Sequence, residues 1–220
     1  MSLAGRLRRM RSELGYLHRA DGSSSYSQGR TSVWASCCGP GDIHIARRED
    51  EQMHLDVSYR QLTGDCQYHW LINVIRTTLE SVLDPKVFPR TGFTVTTQLL
   101  QSDGSEGAAA LTSVCLAMLD NGISIRSPFC GVEVCEVDGK LVLDADAKTE
   151  AKAEAKWLFI FTRTIEGNAE MIASDSVGPF DMTKFASAAS LAGEGAKQIF
   201  SFYKEVVERK HSIDILAKPL

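Results

Sequence analysis

The chain has 220 residues, 44% of them hydrophobic, enough to bury one sizeable core in one domain or in two closely packed halves. Its 24 Lys and Arg against 28 Asp and Glu leave a formal charge of -4, which excludes a surface that holds nucleic acid by bulk charge alone and leaves only local or shared contacts. No run approaches the ~18 apolar residues of a membrane span, and the six cysteines (Cys37, Cys38, Cys66, Cys115, Cys130, Cys135) lack CxxC spacing and read as reduced, mostly buried thiols.

Met1 to Arg11 carries four arginines and no acid, and residues 1–16 read as an exposed basic arm. Asp21-Gly22 opens a short strand in which Tyr26 packs and the serines around it face away. Gly29 makes a tight bend, and a strand rich in β-formers runs to Gly39-Pro40. Met53 to Tyr59 alternates as a half-buried strand, with His54 facing solvent. Tyr68, Leu71, Ile72, Ile75, Leu79 and Val82 fall at helical spacing until Asp84-Pro85. Thr91 to Leu100 alternates again and leads into Ser102-Asp103-Gly104-Ser105, a turn expected to cap the next helix. That helix is apolar on most sides and stops at Asn121-Gly122, as a central buried helix would. Asp138-Gly139 signals a tight hairpin between Cys130–Val137 and Lys140–Asp144, and Glu166-Gly167-Asn168 signals a second between Trp157–Ile165 and Ala169–Ser174. A long helix closes the chain. Asp181 is its N-cap, and Phe185, Ala189, Ala192, Ala196, Ile199, Tyr203 and Val206 form its buried stripe, with Gly193 and Gly195 suited to close packing. Strands in clusters with helices between them give an α+β class.

The order Asp21-Gly22-Ser23, then Gln28-Gly29-Arg30-Thr31-Ser32-Val33-Trp34-Ala35, then Gly39-Pro40, resembles the first hairpin of the RNase PH family. The Asp103-Gly104-Ser105 turn before the buried helix is also similar. Gly122 to Val132, Gly139 to Asp144 and Ile199 to Glu205 look like one branch of that family, non-catalytic subunits of the eukaryotic RNA exosome ring. The resemblance implies an RNase PH-like fold (ribosomal protein S5 domain 2-like) over residues 17–220, with mixed sheets, buried central helices and a long C-terminal helix. It also implies related subunits as partners in a six-membered ring with cap proteins, and RNA through the channel. A homodimer is expected for the isolated chain, and a role in RNA processing and decay, including that of ribosomal RNA, in nucleus, nucleolus and cytoplasm.

Active members of the family need a helix N-terminus that binds phosphate, arginines that hold phosphate and RNA, and a pair of acids. A helix start suits the first task because its leading amides are unpaired. The matching residues here are Ser105 and Glu106, and Glu106 puts a negative charge where phosphate would sit while still serving the helix dipole by about 0.3–1 kcal/mol. Asn73, Thr77 and Glu80 stand where the preceding helix carries arginines, which no Thr or Glu replaces in a bidentate contact. Glu150 and Lys156 stand at the two acid positions. These departures imply no phosphorolysis, no catalytic residue and no cofactor or metal. A nuclease active on its own, phosphate-dependent or Mg-assisted, is the alternative. Arg60, Arg76 and Arg90 are the candidate RNA contacts. Asp144, Asp146, Glu150 and Glu154 interleave with Lys148, Lys152 and Lys156 and read as a solvated mixed-charge strip, although oxygen ligands at that spacing also suit Mg²⁺. Gly193 to Lys197 lacks the spacing of a phosphate loop, and no metal-ligand spacing joins the five histidines.

Overall fold

The computed structural model describes residues 5–62, 69–179 and 181–217. Among them β1 (Met10–Leu14), β2 (Gly22–Gln28), β3 (Thr31–Gly41), β4 (His54–Arg60) and β5 (Gly92–Gln101) form one sheet in the order β1-β2-β3-β5-β4. Its first strands are antiparallel neighbours. Only β4 and β5 run parallel, because α1 (His69–Val82) crosses over between them. A second, antiparallel sheet has the order β7-β6-β8-β9, from β6 (Phe129–Val137), β7 (Lys140–Leu143), β8 (Ala155–Arg163) and β9 (Ala169–Val177). The Asp138-Gly139 turn has positive φ at both residues, the two-residue geometry that matches strand twist.

Helix α2 (Glu106–Asn121) lies between the sheets and touches both, with every residue from Gly107 to Met118 buried. A helix apolar all round needs cover on all sides, and here two sheets supply it. It ends where Gly122, at φ 79°, donates its N–H to Met118 O at 3.0 Å. Helix α4 (Met182–Ala217) packs on the far face of the second sheet. Ala188, Ala192, Ala196, Ile199, Tyr203 and Val206 are its buried stripe, while Phe185 and Ala189 are half-buried. Gly195 sits against Leu143 and Val132 as expected, whereas a side chain at Gly193 would meet only the Phe161 ring, at 3.9 Å. The α+β class and the mixed sheet stand as read.

Three readings are corrected. Residues 1–16 are not wholly an exposed arm: β1 pairs with β2 along its length, and Leu7 is buried. The serines of β2 do not all face away, since Ser23 and Ser24 are buried and the Ser24 hydroxyl donates to Ser113 O of α2 at 2.7 Å. Ser105 does not cap α2, because its backbone is left-handed at φ 54° and its hydroxyl donates to Ala145 O at 3.2 Å. Helix α1 stops at Val82, before Asp84-Pro85 as read, and Asp84 caps a short 3-10 turn at Pro85–Val87. Among the described cysteines Cys37, Cys115, Cys130 and Cys135 are buried and free, Cys38 is exposed, and Tyr68 and Cys66 lie outside the described residues.

Candidate active-site cleft

The turn before α2 is fixed from several sides. Gly104 has φ 85°, and a side chain there would lie 2.6 Å from Ala145 O, so only glycine fits. The Thr31 hydroxyl donates to Gly104 O at 2.7 Å and accepts from the Asp103 N–H at 3.1 Å. The Arg8 guanidinium donates to Asp103 O at 2.7 Å, Gly104 O at 3.2 Å and Asp144 Oδ1 at 2.6 Å, and the Arg8 N–H donates to Asp144 Oδ2 at 2.9 Å. Burial opposes the charge on Arg8, but the hydrogen bond and proximity to Asp144 hold its pKa above the usual value. The Asp144 side chain is 1% exposed. Asp144 is therefore no part of a solvated strip, which corrects the sequence reading: it is the buried anchor of the N-terminal segment.

At the start of α2 the Ser105 N–H donates to Glu150 Oε2 at 3.1 Å, and Glu150 Oε1 meets Lys156 Nζ at 2.6 Å. Glu150 reaches this position from the one-turn helix α3 (Ala147–Glu150), which Asp146 caps by accepting from the Thr149 N–H at 2.9 Å. An internal carboxylate thus occupies the first amide of the turn. The Glu106 carboxylate turns back to the Ser102 hydroxyl.

Beside this turn opens a cleft of about 520 Å³. Its floor is one face of the second sheet, where Glu133, Leu158 and Asp175 lie opposite one another across β6, β8 and β9, and Cys135, Lys156 and Val177 form the next row. Trp70 and Leu71 of α1 and Glu106 and Gly107 of α2 form its walls, and the Trp70 indole N–H donates to Asp175 Oδ2 at 2.5 Å. Burial pushes the Glu133 carboxyl up to about 8, helped by the nearby Glu150, Asp144 and Glu106 carboxylates and opposed by Lys156. Burial works against the Lys156 ammonium, but the bond to Glu150 keeps its pKa raised.

Ser105, Glu106, Glu150 and Lys156 therefore share one site. Glu80 does not join them: it lines a separate groove of about 370 Å³ with Arg76, Glu49 and His54, where the buried Arg76 Nε has no hydrogen-bond partner among the described residues. Arg90, at φ 63°, donates its Nε to Asp50 Oδ1 at 3.0 Å and its N–H to Glu49 O at 3.1 Å, so it holds the segment before β4. Arg60 is exposed at the other end of β4, about 20 Å along the strand from His54. Arg76 and Arg90 both lie beside the segment that carries Glu49, whereas Arg60 stands at the far end of β4. Glu133, Asp175 and Trp70 were missed in the sequence. A carboxylate in the middle of the apolar stretch from Cys130 to Cys135 was a signal for the first, whereas Asp175 lay just past the expected end of its strand. Among the described residues no group of three or more His, Cys, Asp or Glu is arranged to hold a metal ion.

Residues 6–124 match the 3′ exoribonuclease family, domain 1, the RNase PH family. The chain belongs to the RNase PH family. Within it, the chain is 44% identical over 212 residues to the exosome complex component RRP46 homolog of Caenorhabditis elegans, covering 96% of this chain and 99% of that one. Its structure is similar to that of rice (Oryza sativa) Rrp46, with a TM-score of 0.87 at 22% identity over 94% of this chain and 97% of the other, a likeness of fold. It is also similar to the C. elegans cell-death-related nuclease 5, with a TM-score of 0.71 at 36% identity over 94% and 99% of the two chains. The structure places the α2 turn, Glu150 and Lys156 together. The further carboxylates Glu133 and Asp175 come from the floor of the cleft.

Proposed function

We propose that this chain is a ring subunit of an RNA exosome. It would pair with other RNase PH-like subunits, and with cap proteins, around a channel through which RNA is processed and degraded 3′ to 5′, ribosomal RNA included. The end-to-end identity with the RRP46 homolog supports the ring role. One observation carries the non-catalytic reading: Glu150, paired with Lys156, takes the Ser105 amide that an entering phosphate would need. An anion would have to displace a carboxylate already held by an ammonium at 2.6 Å, beside the further negative charge of Glu106. The proposed residence is nucleus and nucleolus with a cytoplasmic pool, which imaging of a tagged chain checks.

Single-stranded RNA incubated with the purified chain and phosphate should release no nucleoside diphosphate above a buffer control. Phosphate-dependent release from a contaminant-free preparation would overturn the non-catalytic reading. A second reading, a nuclease active on its own, draws on the 36% identity with the cell-death-related nuclease and on Glu133, a carboxyl held protonated near neutrality beside Lys156. It requires RNA cleavage with Mg²⁺ alone that Glu133→Gln abolishes. RNA left intact under those conditions excludes it.

A further inference from the structure

Strand β4 ends the first sheet, and among the described residues nothing pairs with its outer edge. The His54 N–H donates to Thr91 O at 2.9 Å, so the backbone of His54 faces β5. Backbone groups alternate sides along a strand, which turns the N–H and C=O of Leu55 and Val57 to the open side. The strand keeps one register with β5 from His54 to Arg60, with no proline and no bulge to blunt that edge. Helix α1 packs beside β4, and the groove of about 370 Å³ opens where the two meet, lined by Leu55 of the strand and by Arg76 and Glu80 of the helix. A cation without a counter-ion stands in it: Arg76 makes no hydrogen bond or ion pair with any described residue. Its Nε is shut off from water, and the rest of the side chain is half-buried in the groove wall.

Another extended backbone completes an unpaired strand edge, and a carboxylate completes a guanidinium. We propose that the groove between β4 and α1 docks an extended peptide segment of a partner protein. The segment adds as a strand to the open side of β4 and lays one Asp or Glu side chain on the outer nitrogens of Arg76. Side chains on one face of a strand recur every second residue, about 7 Å apart. The side chain two positions from the acid therefore meets Leu55, beside the buried Met53 and Leu83, and is apolar. The acids of the groove disfavour a nucleic-acid strand. Glu80 is exposed, and Glu49, already engaged by Gln52 and His54, stands across from it, so successive phosphates would be repelled. No Trp, Tyr or Phe is among the described lining residues, so a base finds no ring to stack on. The same acids limit the segment to a single carboxylate at this point. The proposal goes beyond the ring role and does not rest on it.

Random peptides of about 6 residues, the usual length of a strand, displayed on phage and selected against the full chain, supply the probe. Enriched sequences should pair an acid with an apolar residue two positions away. A selected peptide carrying a fluorophore should bind the chain in anisotropy, and Arg76→Gln should weaken it at least roughly tenfold. Arg76→Lys should recover only part of the loss, because it restores the charge and not the fork. Changing the acid of the peptide to its amide should cost as much against the native chain and little against Arg76→Gln, a coupling that a merely structural arginine would not show. Methylating the peptide amides that face β4 should abolish binding. In hydrogen exchange the Leu55 and Val57 amides should become protected when the peptide binds, while those of β9 stay as they were. Glu166→Gln, in an exposed turn, should leave the affinity unchanged. Circular dichroism confirms that each variant is folded. The proposal is overturned if no peptide is enriched, if Arg76→Gln binds the selected peptide normally, or if protection appears at β9 and not at β4. Single-stranded RNA that displaces the peptide and itself protects Leu55 and Val57 would assign the groove to nucleic acid. Protection of those amides in the chain alone, lost on dilution, would assign the edge to a second copy. Either result also overturns the proposal.

Discussion

Arg8 and Asp144 meet across 136 positions of sequence, and the carboxylate is 1% exposed where they meet. Arg8→Ala would leave that charge buried and unpaired, and should cost about 3–5 kcal/mol in urea denaturation. Asp144→Asn should cost less, because the Arg8 side chain is 19% exposed and can reach water. Glu133 sets a pH dependence of the opposite kind to an ion-paired acid. Its pKa rises from 4.5 to about 8 on folding, so between these values the folded state holds more proton than the unfolded one. Stability should therefore fall as pH rises through that window and level off above about 8. Melting temperatures across the window should fall less steeply for Glu133→Gln, and parallel slopes would refute the assignment. Neither residue was legible as a partner in the sequence. Asp144 stands in a row of alternating acids and lysines that looks solvated, and only the fold brings an N-terminal arginine to it. Glu106, Glu150 and Lys156 were legible, because family resemblance expects a cation at the first position and acids at the other two.

At the scale of elements, α2 was readable because its apolar residues surround the helix and Gly122 ends it. The Asp138-Gly139 hairpin was readable because its turn chemistry is local. Strand β1 was not: Met10, Ser12 and Leu14 do alternate inward, but over too few residues to stand out among arginines. Contact between β2 and α2 is close enough to test. A methyl on Gly22 would lie 2.4 Å from both Ala117 O and Asn121 N, backbone atoms that cannot swing aside. Gly22→Ala should destabilise by about 3 kcal/mol or more, or yield insoluble protein, and a soluble variant of native stability would show that the helix can retreat. The start of α2 gives a second test. Glu106→Arg alone leaves the Ser105 amide engaged by Glu150 and should bind no sulfate at millimolar concentration. Glu106→Arg combined with Glu150→Ala frees that amide and Lys156 together. The amide and the ammonium each offer a charge-assisted contact of about 1.5–3 kcal/mol, together enough for millimolar sulfate binding by calorimetry.

For the whole molecule, the two-sheet plan followed from clustered strands and family resemblance. Which residues share the cleft did not, since positions 106, 133, 156 and 175 come together only when the second sheet and α2 are in place. The edges of the sheets bear on assembly. Strand β9 ends its sheet and exposes Met171, Ile172 and Val177 at 43%, 38% and 63%. An open edge with apolar side chains invites a second chain. Light scattering of the isolated chain should report a dimer or larger species, and mixing with an RNase PH-like exosome subunit should give a heterodimer. A chain that stays monomeric in both conditions would refute the ring proposal.

The position of α2 between two sheets also has a bearing on synthesis. As the polypeptide leaves the ribosome, the first sheet and α2 emerge before any of the strands that cover the helix from the other side. At about 5–20 residues per second, the stretch up to β9 follows α2 by several seconds. During that interval a nascent chain carries one wholly apolar helix with half its surface bare, and Arg8 waits for a carboxylate not yet made. Chains stalled just past Gly122 should therefore be captured by chaperones that hold apolar segments, and chains released after β9 and α4 should escape them.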